Sequence, residues 1–182
     1  YDKILLRLVH TLSTFEHDEV KHKVKGVKEF LTIEGRKVKE KKALILGLGH
    51  ENNVSETICR MENPDLLYLF YADPPVDKRF VEEVFINNHA VIQDTPIRNL
   101  ISYPIRNSQL IYQNLIDTIL PIRNDYSITL IPQGPKVFSV ASMLVQMSYP
   151  DTLVSYPVIK RKQIVDRMPI GEPVILDVSL EG

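Results

Sequence analysis

Ile128-Thr129-Leu130-Ile131-Pro132-Gln133-Gly134-Pro135-Lys136 is the stretch that decides how the chain is read. An apolar run with β-branched residues stops at Pro132. A glycine and a second proline follow. Lys136 then opens an apolar segment of helical spacing, Val137 to Met147. This is the pattern of a strand, a tight turn and a helix start. Gly134 permits the turn, and Pro135 suits the first helical position, where its missing N–H costs nothing. A helix start offers unpaired N–H groups to an anion, and Lys136 adds a full positive charge beside them. Gln133, Gly134 and Lys136 are therefore candidates for holding a phosphate. The plain alternative is a surface turn with an incidental lysine.

A second turn of the same kind lies upstream, in Ala43-Leu44-Ile45-Leu46-Gly47-Leu48-Gly49-His50-Glu51-Asn52-Asn53. Its apolar run reads as a strand buried on both faces of a sheet. Gly47 and Gly49 supply Gly-x-Gly, with Asn52 where the dinucleotide fingerprint has a third glycine. The fingerprint's acidic residue could only be Asp73, after the next strand. Gly-x-Gly by itself is a weak signal. His50 could polarise a ligand or act as a base, although such a histidine is more often a polar turn residue. Asn52 or Asn53 is expected to cap the next helix, with Glu56 completing a capping box.

Alternating runs and breakers continue outward from these two turns. A helix is expected to about Glu62, a strand over 66–71, a helix over 77–87 and a short strand over 90–92. A helix over 108–120 capped by Asn107 follows, then strands over 128–131 and 153–159. Residues 160–170 read as a basic, exposed connection, and 173–180 as a half-exposed edge strand. Pro-Ile-Arg-Asn occurs at 96–99, 104–107 and 121–124 with unequal spacing and unmatched flanks. It is turn and cap chemistry, not a structural repeat.

Residues 1–42 differ from the rest. Ile4, Leu5, Leu8, Val9 and Leu12 form one helical stripe, and Val20, Val24, Val27, Phe30 and Leu31 another. Asp18 and Glu19 suit the first turn of the second helix, and Gly35 its end. Lysines at 21, 23, 25, 28, 37, 39, 41 and 42, with Arg36, concentrate positive charge here. The domains expected are an N-terminal helical segment with a basic linker, 1–42, and a Rossmann-like α/β domain, 43–182. Its sheet is expected to be open and mainly parallel, flanked by helices. In the usual doubly wound order the strands at 43–48 and 128–131 are neighbours at the point where winding reverses. Ligands bind there, and this is why the two turns are paired.

Composition narrows the function classes. The 182 residues are 44% hydrophobic and 25% charged, with net charge −1. A chain of this length buries about 70% of the surface it exposes when unfolded, so it needs no disulfide. The charge balance argues against direct DNA binding. No apolar run approaches the roughly 20 residues of a membrane span. The single cysteine, Cys59, suits a reducing compartment, so the cytoplasm is expected. The chain opens on Tyr1 rather than Met, which suggests a processed or excised piece. Five scattered histidines, among them His10, His17 and His22, make no recognised metal spacing. There is no Gly-x-Ser-x-Gly elbow, Walker loop or His-Glu-x-x-His.

The strand, glycine turn and lysine at 130–136, followed by Val137-Phe138-Ser139-Val140-Ala141-Ser142-Met143-Leu144, resemble the CRISPR-associated Rossmann-fold (CARF) sensor domains. The corresponding turn of that family commonly reads Gly-Gly-x-Lys, and Gln133 replaces its first glycine here. The family's first-strand loop usually carries small hydroxylated residues, where this chain has His50, Asn52 and Asn53. The resemblance covers roughly residues 43–160 as topology. It implies a homodimer whose paired loops bind a cyclic oligonucleotide or related nucleotide. Lys136 would contact phosphate, and the residues after Gly47 would line the floor.

Three functions remain in play. The first is a domain sensing a nucleotide or other phosphate-bearing ligand through Gly47, Gly49, His50, Asn52, Asn53, Asp73, Gln133, Gly134 and Lys136, with a partner domain or as a dimer. Asp73 would hydrogen-bond a ribose hydroxyl or hold a metal, unless it only makes an Asp-Pro turn. Arg98 and Arg106 could pair with phosphates. The second is a small-molecule, transferase-like enzyme using a nucleotide-derived cofactor, with His50 and Asp73 as its polar groups. The third is a scaffold that acts through its N-terminal lysines.

Overall fold

The computed structural model describes residues 3–15, 22–31, 36–73, 77–160 and 168–181. In chain order the elements are β1 (Lys3–Ser13), β2 (Lys23–Glu29), β3 (Lys41–Gly47), α1 (Val54–Glu62), β4 (Leu66–Ala72), α2 (Lys78–Asn87) and α3 (His89–Gln93). A 3-10 turn (Ile97–Asn99) leads to β5 (Leu100–Tyr103). Then come α4 (Ser108–Ile119), β6 (Tyr126–Ile131), α5 (Lys136–Ser148), β7 (Leu153–Lys160) and β8 (Pro169–Glu181).

Six strands form one sheet in the order β2-β7-β6-β3-β4-β5, and β1 and β8 form a separate ribbon. β3 pairs in parallel with both β4 and β6, β4 with β5, and β6 with β7. β2 joins the sheet antiparallel to β7, and the ribbon is antiparallel throughout. Side chains alternate across a strand, and β3 shows what that achieves. Ala43 and Ile45 enter the core beneath α4 and α5, with Ile111, Leu115, Phe138 and Val145. Leu44 and Leu46 enter the opposite core with Val54, Ile58 and Val91 of α1 and α3. Burying each of the larger of these side chains contributes about 1.5–3 kcal/mol.

This overturns the expectation of an open, mainly parallel Rossmann-like sheet with an N-terminal helical segment. The strand structure is mixed, the chain is α/β with five α-helices among the described residues, and its first element is a strand. The apolar positions of β1 fit helical spacing, but Leu6, Leu8, His10 and Leu12 also fit alternation. Long-range pairing with β8 settles the choice, as tertiary context commonly does for such segments. In β2 the register shifts between Val24 and Gly26. That irregularity lets Val24 and Val27, three residues apart, both meet the core of α1, so a strand imitates a helical stripe. β1 and β2 each pair with a strand from 43–182.

Two further corrections lie between 88 and 103. Ala90 to Ile92 is part of α3, not a strand, with Val91 buried. The strand is Leu100–Tyr103, within the stretch read as irregular. Elsewhere α2 starts at an Asp77 cap whose carboxylate accepts the Arg79 N–H at 2.9 Å. Asn107 caps α4 by accepting the Leu110 N–H at 3.0 Å. The readings of His17, Asp18, Glu19, Val20, Lys21, Gly35, Pro74, Pro75 and the greater part of the 160–170 connection (161–167) concern positions outside the described residues.

Candidate functional site

The turns after β3 and β6 interlock. Gly134 has φ +79°, and a Cβ on it would lie 2.6 Å from the Leu48 carbonyl oxygen. A Cβ on Gly49 would lie 3.2 Å from the Gly134 nitrogen and would meet the Glu51 carboxylate. Glycine is needed at Gly134, for its left-handed backbone and for the close approach of the Leu48 carbonyl; at Gly49 a Cβ would displace the Glu51 side chain and crowd the Gly134 nitrogen.

Beside this junction lies a cavity of about 380 Å³, near the lower end of the range for small-molecule sites. Gly49 and His50 come from the β3 turn, Gly134 and Lys136 from the β6 turn, and His10 and Ser13 from β1. Phe80, Val84, Leu12 and Ile105 supply apolar walls. The Phe80 ring meets His50 edge-on at 6.1 Å between centroids and Phe15 at 5.1 Å. Lys136 is the first residue of α5, after Pro135, which gives no side-chain cap. The first N–H groups of a helix have no partner within it. A charge on an anion placed there therefore meets both those groups and the lysine.

His10 is partly buried, and burial first and the Lys136 charge second push its pKa below the ordinary histidine value. The β3 turn is held from behind by α2 and the start of α3. Asn88 Nδ2 donates to the Gly49 carbonyl at 2.9 Å and to the Val84 carbonyl at 2.7 Å. Asn87 Nδ2 donates to the His50 carbonyl at 2.5 Å.

Of the residues singled out from sequence, Gly49, His50, Gly134 and Lys136 line the cavity, and the others are placed elsewhere. Gly47 is a packing glycine: a Cβ there would lie 2.7 Å from the Phe138 ring and 2.9 Å from the Gln133 carbonyl. Gln133 is buried, with Nε2 3.4 Å from the Ser55 hydroxyl. Asn53 takes a left-handed backbone, φ 70°, and its side chain makes no cap bond. The expected capping box is therefore not formed. The Asn53 carbonyl instead accepts from the Thr57 hydroxyl at 2.7 Å. Asn52 sits in the same turn, outside the cavity lining. Asp73 donates its backbone N–H to the Tyr103 carbonyl at 2.8 Å and is not part of the lining. Arg106 donates to the Glu172 carbonyl at 3.2 Å, tying the β5–α4 turn to the ribbon.

Sequence reasoning missed the contribution of β1 and of the α2 face. His10 was visible as a histidine, but no local signal showed that it would reach the β6 turn. Among the described residues no group of three or more His, Cys, Asp or Glu side chains could hold a metal. Burial pushes the Cys59 thiol up to about 11, with Glu56 adding to the shift, so it is a poor nucleophile. No helix among the described residues is long and apolar enough to cross a membrane. Comparison with known proteins finds no family model that matches the chain and no matching curated protein.

Proposed function

We propose that the chain binds a nucleotide or another phosphate-bearing small molecule in the cavity beside the β3 and β6 turns. The observation that carries this is the convergence of Lys136, His10 and His50 on one cavity with an apolar wall. The phosphate sits against Lys136 and the start of α5. The flat or apolar part of the ligand lies along Phe80, Val84 and Ile105. A few placed polar groups in a mostly apolar hollow is the usual chemistry of such sites. The likeness of the β6 turn to that of the CARF sensors adds support for a nucleotide. The cavity volume favours a single nucleotide unit over a ring of several within one chain. A second copy of the chain completes a regulatory dimer in this proposal, and sizing by light scattering with and without ligand checks that part.

A thermal-shift screen against mononucleotides, cyclic oligonucleotides, inorganic phosphate and S-adenosyl compounds tests the proposal, with Lys136→Ala beside the unsubstituted chain. A ligand at about 100 times its Kd stabilises by about 2.7 kcal/mol. Removing the lysine should weaken a phosphate-bearing ligand by about 1.5–3 kcal/mol, the range for a charged hydrogen bond. A shift that persists undiminished in Lys136→Ala, or no shift with any compound, overturns it.

Two imidazoles on one cavity favour the enzyme as a second reading, although Asp73, its expected partner group, is not in the lining. Turnover of a bound ligand that disappears in His50→Ala would establish it.

A further inference from the structure

The β1–β8 ribbon places a titratable side chain in the binding cavity. His10 pairs with Val174 across the ribbon, and the register shifts between His10 and Leu12. Both apolar neighbours on that face are buried, Leu12 at 4% exposure and Val174 at 7%. The ribbon is therefore packed down where His10 enters the cavity lining, which it shares with Lys136 at the start of α5, close enough for the two charges to interact. His50 faces the same space from the β3 turn. The Glu51 carboxylate packs against Gly49, outside the lining.

We propose that a doubly charged phosphate or sulfate group binds between His10 and Lys136, and that its binding is coupled to uptake of one proton by His10. This rests on the binding function proposed above and assigns a proton-linked step to that same site. In the empty cavity burial and the nearby ammonium disfavour the imidazolium. A dianion beside the ring reverses that balance, because an opposite charge within about 4–6 Å favours the charged form. The imidazolium then becomes a second cationic donor to the anion.

The sign follows from linkage. The empty site holds His10 neutral near pH 7, and the loaded site holds it protonated. Binding takes up a proton between the two pKa values, so affinity rises as pH falls through that window. The rise is up to about tenfold per pH unit for one coupled proton. The ribbon then makes the site responsive to acidification, with the proton entering on β1 and the anion seated on α5.

Sulfate is the probe to use first, because it keeps its double charge from pH 5.5 to 8.5 and any pH slope belongs to the protein. Titration calorimetry in two buffers of different ionisation heat counts the protons taken up, with AMP as a competing ligand. The expected result is net proton uptake approaching one per sulfate, and affinity several-fold to tenfold tighter at the lower pH. His10→Gln should flatten the pH slope, whereas His50→Gln should keep it. Circular dichroism confirms that each variant is folded, and the proton count on the unsubstituted chain needs no variant at all. Binding with no proton uptake overturns the coupling and leaves the binding function standing. A slope lost in His50→Gln and kept in His10→Gln overturns the assignment to His10. Failure of sulfate to bind or to compete with bound AMP overturns the dianion seat, and failure of every phosphate-bearing ligand overturns the binding function with it.

Discussion

The carbonyl oxygen of Leu48 lies directly over Gly134, at a spacing that leaves no room for a side chain on the glycine. This contact joins the turn after β3 to the turn after β6. It sets the floor of the cavity without using any polar side chain. It also explains why Lys136, two residues after Gly134, lines one cavity with His50 and His10.

Gly134→Ala tests that contact. The left-handed backbone costs alanine about 1–2 kcal/mol, and the Cβ would lie 2.6 Å from the Leu48 oxygen, which adds strain. Urea unfolding should show a loss of about 2–4 kcal/mol, with weaker ligand binding in the folded fraction. A change under about 0.5 kcal/mol, the usual size for surface substitutions, would show that the turn adapts freely.

Asn88→Ala should loosen the β3 turn from behind. It removes the donor to the Gly49 carbonyl and leaves that carbonyl without its partner. The expected cost is about 1–3 kcal/mol, measured by urea unfolding, with raised ligand Kd. The Val84 carbonyl keeps the Asn88 backbone N–H at 3.1 Å, so α2 itself should persist by circular dichroism.

Tyr103→Phe should be neutral or stabilising. The Tyr103 ring is fully buried and stacks on Phe138 at 5.1 Å. Its hydroxyl has no hydrogen-bond partner among the described residues, and burial raises its pKa well above the ordinary value. Removing a desolvated, unsatisfied group returns about 1 kcal/mol while the stacked ring remains. Destabilisation on urea unfolding would reveal a partner for the hydroxyl.

Without ligand, stability should fall as pH drops below about 6.5, the ordinary histidine value. The folded-state pKa of His10 lies below that value, so the unfolded chain binds the proton first and is favoured. The contribution is present above the unfolded pKa and is lost progressively as pH falls through both values. Thermal unfolding from pH 7.5 to 5 should show a shallower decline for His10→Gln than for the unsubstituted chain, and identical slopes would remove His10 from the effect.

Much of the order from 43 to 160 was legible because its signals are local. Ala43 to Gly47 and Ile128 to Ile131 are apolar runs that end at glycine or proline, and Asn107 caps its helix through a side chain three residues away. The turns that meet at the cavity could likewise be located by their glycines. β1 and β2 were illegible for the opposite reason. Arg7 binds Asp177 at 2.7 Å across 170 residues of chain, and the apolar spacing of Val24 and Val27 is that of a helix until a register shift explains it.

The sequence by itself determined most of the strands and helices between β3 and β7, because periodicity, caps and breakers act within a few residues; the exceptions are α3 at 89–93, read as a strand, and β5 at 100–103, read as irregular. It also determined that Gly134 and Lys136 stand at a helix start. Only the tertiary structure decided that the N-terminal segment is strand, that the six-stranded sheet is mixed, and that His10 lines one cavity with Lys136. Those outcomes depend on which distant strand each segment meets. Pairing energy is collected only after long stretches of chain have closed into loops, and no local pattern records that choice.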